Sequence, residues 1–513
     1  LLTDYILTVA VSISSGVAQI ASAFPVLYPY RVWIGVVLVF IIMLMNLRGV
    51  KESGTAFAIP SYFFVVTMVI TVGVGLYRFF TGSLGTVVNP PEMMIEGAAA
   101  VVTPFLLLHA FSSGTAAMTG IEAVSNGVTA FKEPRSKNAG ITLLWMAAIL
   151  ASLFMSISFL ASKIDAIPSE AETVISQLAR TVYGGQGVFY LAIIAGTTVI
   201  LILAANTAFA GFPRLGALQA ADGYLPRQLT LRGSRLVFSW GIVSLAILSS
   251  LLIIVFQASV TRLIPLYAIG VFLSFTLSQA GMSRRWWKSG RLQPGDEVKE
   301  TGSILRYDKR WLFKMIVNGF GALCTFIVMI VFAVTKFHDG AWIVVFVIPA
   351  LVFMFFTIHR HYKQVAKRLS LDKYNERADV SRHRILVLIG GVHRGSLAAL
   401  TYARALGTDV TAVHVGLDSA EVEKVRAKWE VYGEGTRLVI LDSPYRLLME
   451  PILQYTDKVL ASRNPNELLT IVVPQFVPTH WWANLLHNQT ALLLRFALMF
   501  KPGLVIVEVP YRV

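Results

Sequence analysis

Along residues 1–358, runs of about twenty apolar residues alternate with short polar segments; beyond residue 384 the pattern becomes short β-branched runs separated by helical stretches. A helix needs about 20 mostly apolar residues to cross some 30 Å of hydrocarbon. That window predicts ten spanning helices, at 5–24, 31–48, 57–79, 104–129, 140–162, 187–211, 237–257, 263–282, 315–335 and 341–358. With the first span running outward, the inner loops hold 18 Lys and Arg and the outer segments 6. Such an asymmetry marks the basic loops as cytoplasmic and puts the chain after residue 358 on that side. Trp286, Trp287, Tyr307 and Trp311 crowd the inner boundary, as aromatic anchors do. The outer segment 162–186 is too polar to span, yet its apolar residues recur at helical spacing. This predicts an amphipathic helix lying along the outer surface.

In the last third, RILVLIGGV, DVTAVHV, RLVIL, LLTIVVP and GLVIVEVP alternate with helical stretches. Strict alternation with β-branched strands predicts a parallel sheet covered by helices on both faces, a doubly wound α/β domain. The expected organisation is a transmembrane domain at 1–360, a basic connector at 361–384 and a cytoplasmic α/β domain at 385–513. Clustered cations in the connector suit the inner surface of a membrane. GGVHRGS follows the first strand, where doubly wound domains hold nucleotides, but a Gly-Gly turn is also an ordinary way to leave a strand. The pattern resembles universal stress proteins, whereas VPTHWWANLLHNQTA lacks the glycine-rich loop that cradles phosphate. Trp481, Trp482 and His487 read instead as a contact surface and predict homodimerisation through this domain.

Composition agrees with a membrane assignment. Of 513 residues, 55% are hydrophobic and only 14% charged, with a mean hydropathy of +0.66. A soluble globular chain carries roughly a quarter charged residues, so a wholly soluble protein is excluded. The net charge of +15 lies between apolar runs, where topology and anionic membrane lipid account for it without nucleic acid. Cys324 is the single cysteine, which excludes an intrachain disulfide framework and a cysteine metal cluster. No catalytic triad, metal-ligand cluster or phosphate loop appears, so the chain does not read as an enzyme. The opening LLTDYILTVAVSISSGVAQIASAFP has no initiator methionine, basic region or cleavage site, and reads as the interior of a longer gene product, not a signal peptide.

Ionisable groups within hydrocarbon are costly and are functional candidates by default. Two acids qualify, Asp4 and Glu122. Asp4 with Thr3 is either a helix cap or a ligand; Thr8, four residues on, shares its helix face and adds an oxygen. Ser12 and Ser15 continue that polar stripe. Glu122 lies in FSSGTAAMTGIEAVSNGVTAFKEP, where Gly114, Gly120 and Gly127 with several hydroxyl residues make a weak helix at mid-membrane depth. The small residues serve either close helix packing or a discontinuous helix, broken near Gly114 and Gly120, that opens its backbone to a cavity. Thr119 and Glu122 are three apart and face one side of the resumed helix. His109 and Asn206 read as satisfied packing positions, and Tyr267 follows Pro265 in a span rich in hydroxyls.

The strings TGIEAVSNGVTAFKEPRSKNAG, LAANTAFAGFPRLGALQAADGYLP and NLRGVKESG closely resemble the sixth and eighth helices and the loop after the fourth in the amino acid-polyamine-organocation (APC) superfamily of permeases. That resemblance covers residues 1–360 and implies the LeuT-like five-plus-five inverted-repeat fold, here with its first two helices missing. Within the superfamily, DYILT, TGIE and the C-terminal domain look most like the KUP-type potassium importers of the KimA branch. The resemblance implies potassium held by Asp4, Thr8, Thr119, Glu122 and Tyr267, all oxygen donors as a weakly polarising cation requires. It implies import across the plasma membrane, a homodimer and regulation by cyclic di-AMP. Glu122 is also the candidate proton carrier, because a carboxylate whose hydration changes as a cavity opens can load and release a proton. An amino-acid permease of the same superfamily and a membrane-anchored nucleotide sensor are the alternative readings.

Overall fold

The computed structural model describes residues 1–49, 54–91, 103–115, 124, 128, 131–233, 237–300, 303–371, 380–443, 447–464, 466–479 and 490–512. Contacts divide the chain into two units, Leu1–Leu369 and Ser370–Val513.

The first unit is helical: α1 (Leu2–Ala23), α2 (Arg31–Leu47), α3 (Gly54–Phe80), α4 (Pro104–Thr115), α5 (Arg135–Lys163), α6 (Val174–Tyr183), α7 (Val188–Ala221), α8 (Ser239–Val255), α9 (Val260–Ser289), α10 (Trp311–Thr335) and α11 (Trp342–Leu369). Among the described residues, eight helical segments are long and apolar enough to cross a membrane, and α8, with 17 residues, is a shorter apolar helix. Of the expected span at 104–129, α4 forms the first part; residues 116–123, where it would continue, lie outside the described residues.

Burial ranks the helices. The most apolar stretch of α1 is 61% buried, against 6% for α5, α10 and α11, so α1 is central and the other three face outward. Val9, Ala10, Ile13 and Val17 of α1 pack with Val39 and Ile42 of α2, Ala205 and Phe209 of α7, and Leu245 of α8. At Gly211 of α7 an added Cβ would lie 2.6 Å from the ring of Tyr5, so glycine is what lets α7 approach α1 this closely. Helix α7 has 34 residues, about 51 Å at 1.5 Å each, well beyond the hydrocarbon thickness.

The expected amphipathic helix is present as α6, but its apolar face is covered by protein and does not lie along a membrane surface. Leu178, Ala179 and Val182 of α6 are fully buried among residues of α1, α3, α5, α7 and the adjoining loops, because a stripe this apolar finds partners within the bundle. Thr173 caps α6, accepting from the Ser176 amide at 3.2 Å, and Gly184 ends it in the left-handed region at φ +72°.

Between α9 and α10, β1 (Glu297–Glu300) and β2 (Ser303–Arg306) form an antiparallel pair. The second unit holds β3 (Arg382–Leu388), β4 (Asp409–Gly416), β5 (Arg437–Asp442), β6 (Glu467–Val477) and β7 (Leu504–Arg512) in one parallel sheet, ordered β5-β4-β3-β6-β7. Helices α12 (Arg394–Leu406), α13 (Ser419–Tyr432), α14 (Met449–Ala461) and α15 (Thr490–Leu498) connect the strands. Side chains alternate across each strand, so Leu386, Leu388, Val413 and Ile471 meet Ile452 and Val459 on one face, while Ile385, Val387 and Val472 meet Ala399, Ala403 and Trp429 on the other. This is the doubly wound arrangement, with its switch point between β3 and β6.

Candidate functional site

Helix α1 is already formed at Leu2, which puts Asp4 inside its first turn and not at the cap position. Asp4 is 1% exposed. One turn on, the Thr8 hydroxyl donates to the Asp4 carbonyl at 2.9 Å, which fixes the Thr8 rotamer and leaves its oxygen lone pairs available.

Tyr267 on α9 is 6% exposed and belongs to the same apolar cluster as Leu7, the α1 residue next to Thr8. Leu266, Phe272, Phe332 and Val344 complete that cluster from α9, α10 and α11. Gly270, three residues beyond Tyr267, passes close to Thr3, where an added Cβ would stand 3.9 Å from the hydroxyl oxygen. A cavity of about 530 Å³ opens beside the start of α1, with Thr3, Gln219, Ser274 and Ser278 as its polar lining. The structure therefore brings Asp4 and Thr8 onto one turn of the central helix and packs that helix against the one bearing Tyr267. Thr119, Gly120 and Glu122 lie outside the described residues.

Gly114 lies in the final turn of α4 as described. That turn is rich in side-chain competition for backbone carbonyls: Ser112 and Ser113 donate to the His109 carbonyl at 2.8 and 3.1 Å, and Thr115 to that of Ser112 at 2.8 Å. Such bonds weaken and bend a helix. The C-terminal end of α10 docks on α4 through two polar contacts. The Lys336 ammonium donates to His109 Nε2 at 2.8 Å, and the Thr335 hydroxyl donates to Ser112 Oγ at 3.3 Å. His109 is thus a bonded packing position. Lys336 reads in the sequence as a loop charge, yet it is 8% exposed; the signal was its place immediately after an apolar run.

At the other end of α1, Thr173 donates through its amide to Ser22 Oγ at 2.9 Å and through its hydroxyl to Gln19 Oε1 at 3.0 Å. The polar stripe of α1 there clamps the start of α6. A pocket of about 250 Å³ beside it is lined by Ser14, Ser15, Gln19, Glu170, Thr173 and other residues. The Ser259 hydroxyl donates to the Glu170 carboxylate. Sequence reasoning missed this assembly, because its partners are some 150 residues apart.

In the second unit, GGVHRGS forms a helix cap. His393 Nδ1 accepts from the Ser396 amide at 3.1 Å while Ser396 Oγ accepts from the His393 amide at 2.9 Å, a reciprocal box at the start of α12. The Phe476 ring from β6 lies 4.9 Å from the His393 ring, covering the switch point. Burial holds His393 below the ordinary histidine value. Trp481, Trp482 and His487 lie outside the described residues.

A many-spanning bundle with a buried carboxylate on its central helix, followed by a doubly wound domain, has the form of a membrane permease with an appended α/β unit. Residues 1–356 match the amino acid permease family model and residues 381–511 match the model of the KimA potassium transporter C-terminal domain. The chain is 41% identical, over 514 aligned residues covering all of it and 81% of the relative, to the potassium transporter KimA of Bacillus subtilis (strain 168). The chain belongs to this family of multi-pass membrane proteins, with an APC-type permease domain and a KimA C-terminal domain.

Proposed function

We propose that the protein imports potassium across the plasma membrane, with Asp4, Thr8, Thr119, Glu122 and Tyr267 as oxygen ligands. The observation that carries this reading is whole-chain similarity to a potassium transporter, with a fully buried carboxylate at Asp4 and a hydroxyl one turn away. Potassium exchanges its hydration shell for such oxygens at small cost. In this reading Asp4 is the permanent anionic ligand, and Glu122 loads and releases the coupled proton. The C-terminal unit is cytoplasmic, dimerises the protein and regulates uptake, with cyclic di-AMP as the regulator that family resemblance suggests. The 18 to 6 excess of basic residues on one side of the spans supports that sidedness.

Rubidium uptake into proteoliposomes tests the reading, with Asp4→Asn and Thr119→Ala beside the parent. Saturable uptake that falls at least tenfold in both variants is the expected result. Glu122→Gln is expected to remove the pH dependence of uptake, and an unchanged pH profile would sink the proton role. The permease family match over residues 1–356 also favours a second reading, amino-acid transport. Amino-acid exchange without rubidium uptake in the same vesicles would establish it instead.

A further inference from the structure

We propose that the ends of α7 and α11 form a seat for one anionic phospholipid, with its phosphate among Arg360, Lys363 and Lys367 and an acyl chain beside Phe355 and Phe356. Helix α11 has 28 residues, about 42 Å long, so a span that starts at Trp342 leaves the hydrocarbon near residue 361. The three cations stand where headgroups begin.

They also share one face. Positions 359, 363 and 367 follow at four-residue spacing, with 360 beside them. Together with Tyr224 and Phe356 they line a cleft of about 480 Å³ that contains no acid. Arg360, Lys363 and Lys367 are exposed, and none of them is paired with a carboxylate among the described residues. The cleft wall is built, not incidental. Tyr224 stacks flat on His359, ring centroids 4.2 Å apart at 6°, and packs edge-on against Phe356 at 5.9 Å. His359 Nδ1 donates to the Asp222 carbonyl at 3.1 Å, which ties the end of α7 to α11. Arg227 adds a fourth cation nearby, its guanidinium 4.9 Å over the Tyr362 ring.

What separates a lipid from a free phosphate is the adjoining recess. It measures about 330 Å³, shares Tyr224 and Phe356 with the cleft, and adds Val352 and Phe355. Gln219 and Asp222 are its polar members, so one carboxylate opposes the three cations. A charged mouth continuous with an aromatic and aliphatic trough, at headgroup depth, matches a molecule with a phosphate at one end and hydrocarbon at the other. A soluble phosphate would use only the mouth. This inference does not depend on the transported substrate.

Native mass spectrometry of the full chain, released from detergent and titrated with phosphatidylglycerol or phosphatidylcholine, tests it. The expected result is one phosphatidylglycerol adduct at least tenfold tighter than phosphatidylcholine. Arg360→Gln with Lys363→Gln is expected to abolish that preference, whereas Arg284→Gln, on α9, leaves it intact. Phe355→Ala is expected to weaken the adduct with the charges untouched, and Lys363→Arg to retain it. Equal binding of the two lipids, or a preference that survives the double substitution in a protein of unchanged melting temperature, would overturn the proposal. Glycerol phosphate binding as tightly as the lipid would assign the mouth to a soluble phosphate instead.

Discussion

The Asn46 side-chain amide donates to Asn206 Oδ1 at 2.7 Å and also to the Ile42 carbonyl at 2.9 Å, joining α2 to α7. Hydrogen bonds between membrane helices contribute about 0.6 kcal/mol on average and up to about 1.7. Asn206→Leu is expected to cost an amount in that range, read as a lower unfolding temperature in detergent with transport per folded molecule unchanged. The double substitution of Asn46 and Asn206 to leucine is expected to cost less than the two singles added.

Thr8 separates a ligand from a packing residue. Its hydroxyl proton is committed to the Asp4 carbonyl, so only the oxygen is free to face a cation. Thr8→Ser keeps that oxygen, and Thr8→Val removes it at nearly equal volume. Rubidium uptake is expected to survive the first change and to fall by about tenfold, roughly 1.4 kcal/mol, in the second. Equal uptake by both would reduce Thr8 to a packing position.

Gly211 holds the site from behind. A methyl there would meet Tyr5 Cζ at 2.6 Å and Oη at 2.7 Å, and Tyr5 is the neighbour of Asp4. Overpacking of this kind costs about 1 to 3 kcal/mol. Gly211→Ala is expected to raise the apparent KM for rubidium by shifting the first turn of α1. Tyr5→Leu in the same chain vacates the space and is expected to restore it.

His393 makes the start of α12 sensitive to acid. Its folded-state value lies below the ordinary one, about 6.5, because burial disfavours the charged ring. The unfolded state therefore protonates first. Stability from the neutral ring is fully present above about pH 6.5 and is lost as pH falls toward the folded value. Hydrogen exchange of residues 394–406, corrected for intrinsic rate, is expected to show less protection at pH 5.5 than at 7.5. His393→Asn keeps a capping side chain and is expected to remove the difference, while His393→Ala is expected to cost about 1 kcal/mol at pH 7.5 and less at pH 5.5.

Much of the architecture was legible because two simple periods govern it. Bilayer thickness forces long apolar runs such as those of α5 and α10, and a sheet covered on both faces forces β-branched runs such as RILVL and TIVV. The pair β1 and β2 was not legible, since each strand is only four residues long and three of the four in EVKE are charged. Nor were the contacts of His109 with Lys336 and of Ser22 with Thr173, which join residues 227 and 151 positions apart. Of the candidate site, Asp4 and Thr8 could be paired from helical spacing alone. That Tyr267 shares a cluster with Leu7 is a fact of tertiary packing, to which local pattern gives no access.

The unequal burial of the helices divides the protein's sensitivity to its solvent. Helices α5, α10 and α11 have 29, 25 and 28 residues, and only 6% of the most apolar stretch of each is buried. Each exceeds the roughly 30 Å of an average hydrocarbon layer, so each either tilts or, as at the basic end of α11, runs on into the headgroup layer. In a thinner or thicker bilayer this outer ring re-angles first. The buried carboxylate on α1, surrounded by other helices, is insulated from acyl-chain length except through α9, where the ring and the central helix share the cluster around Phe272.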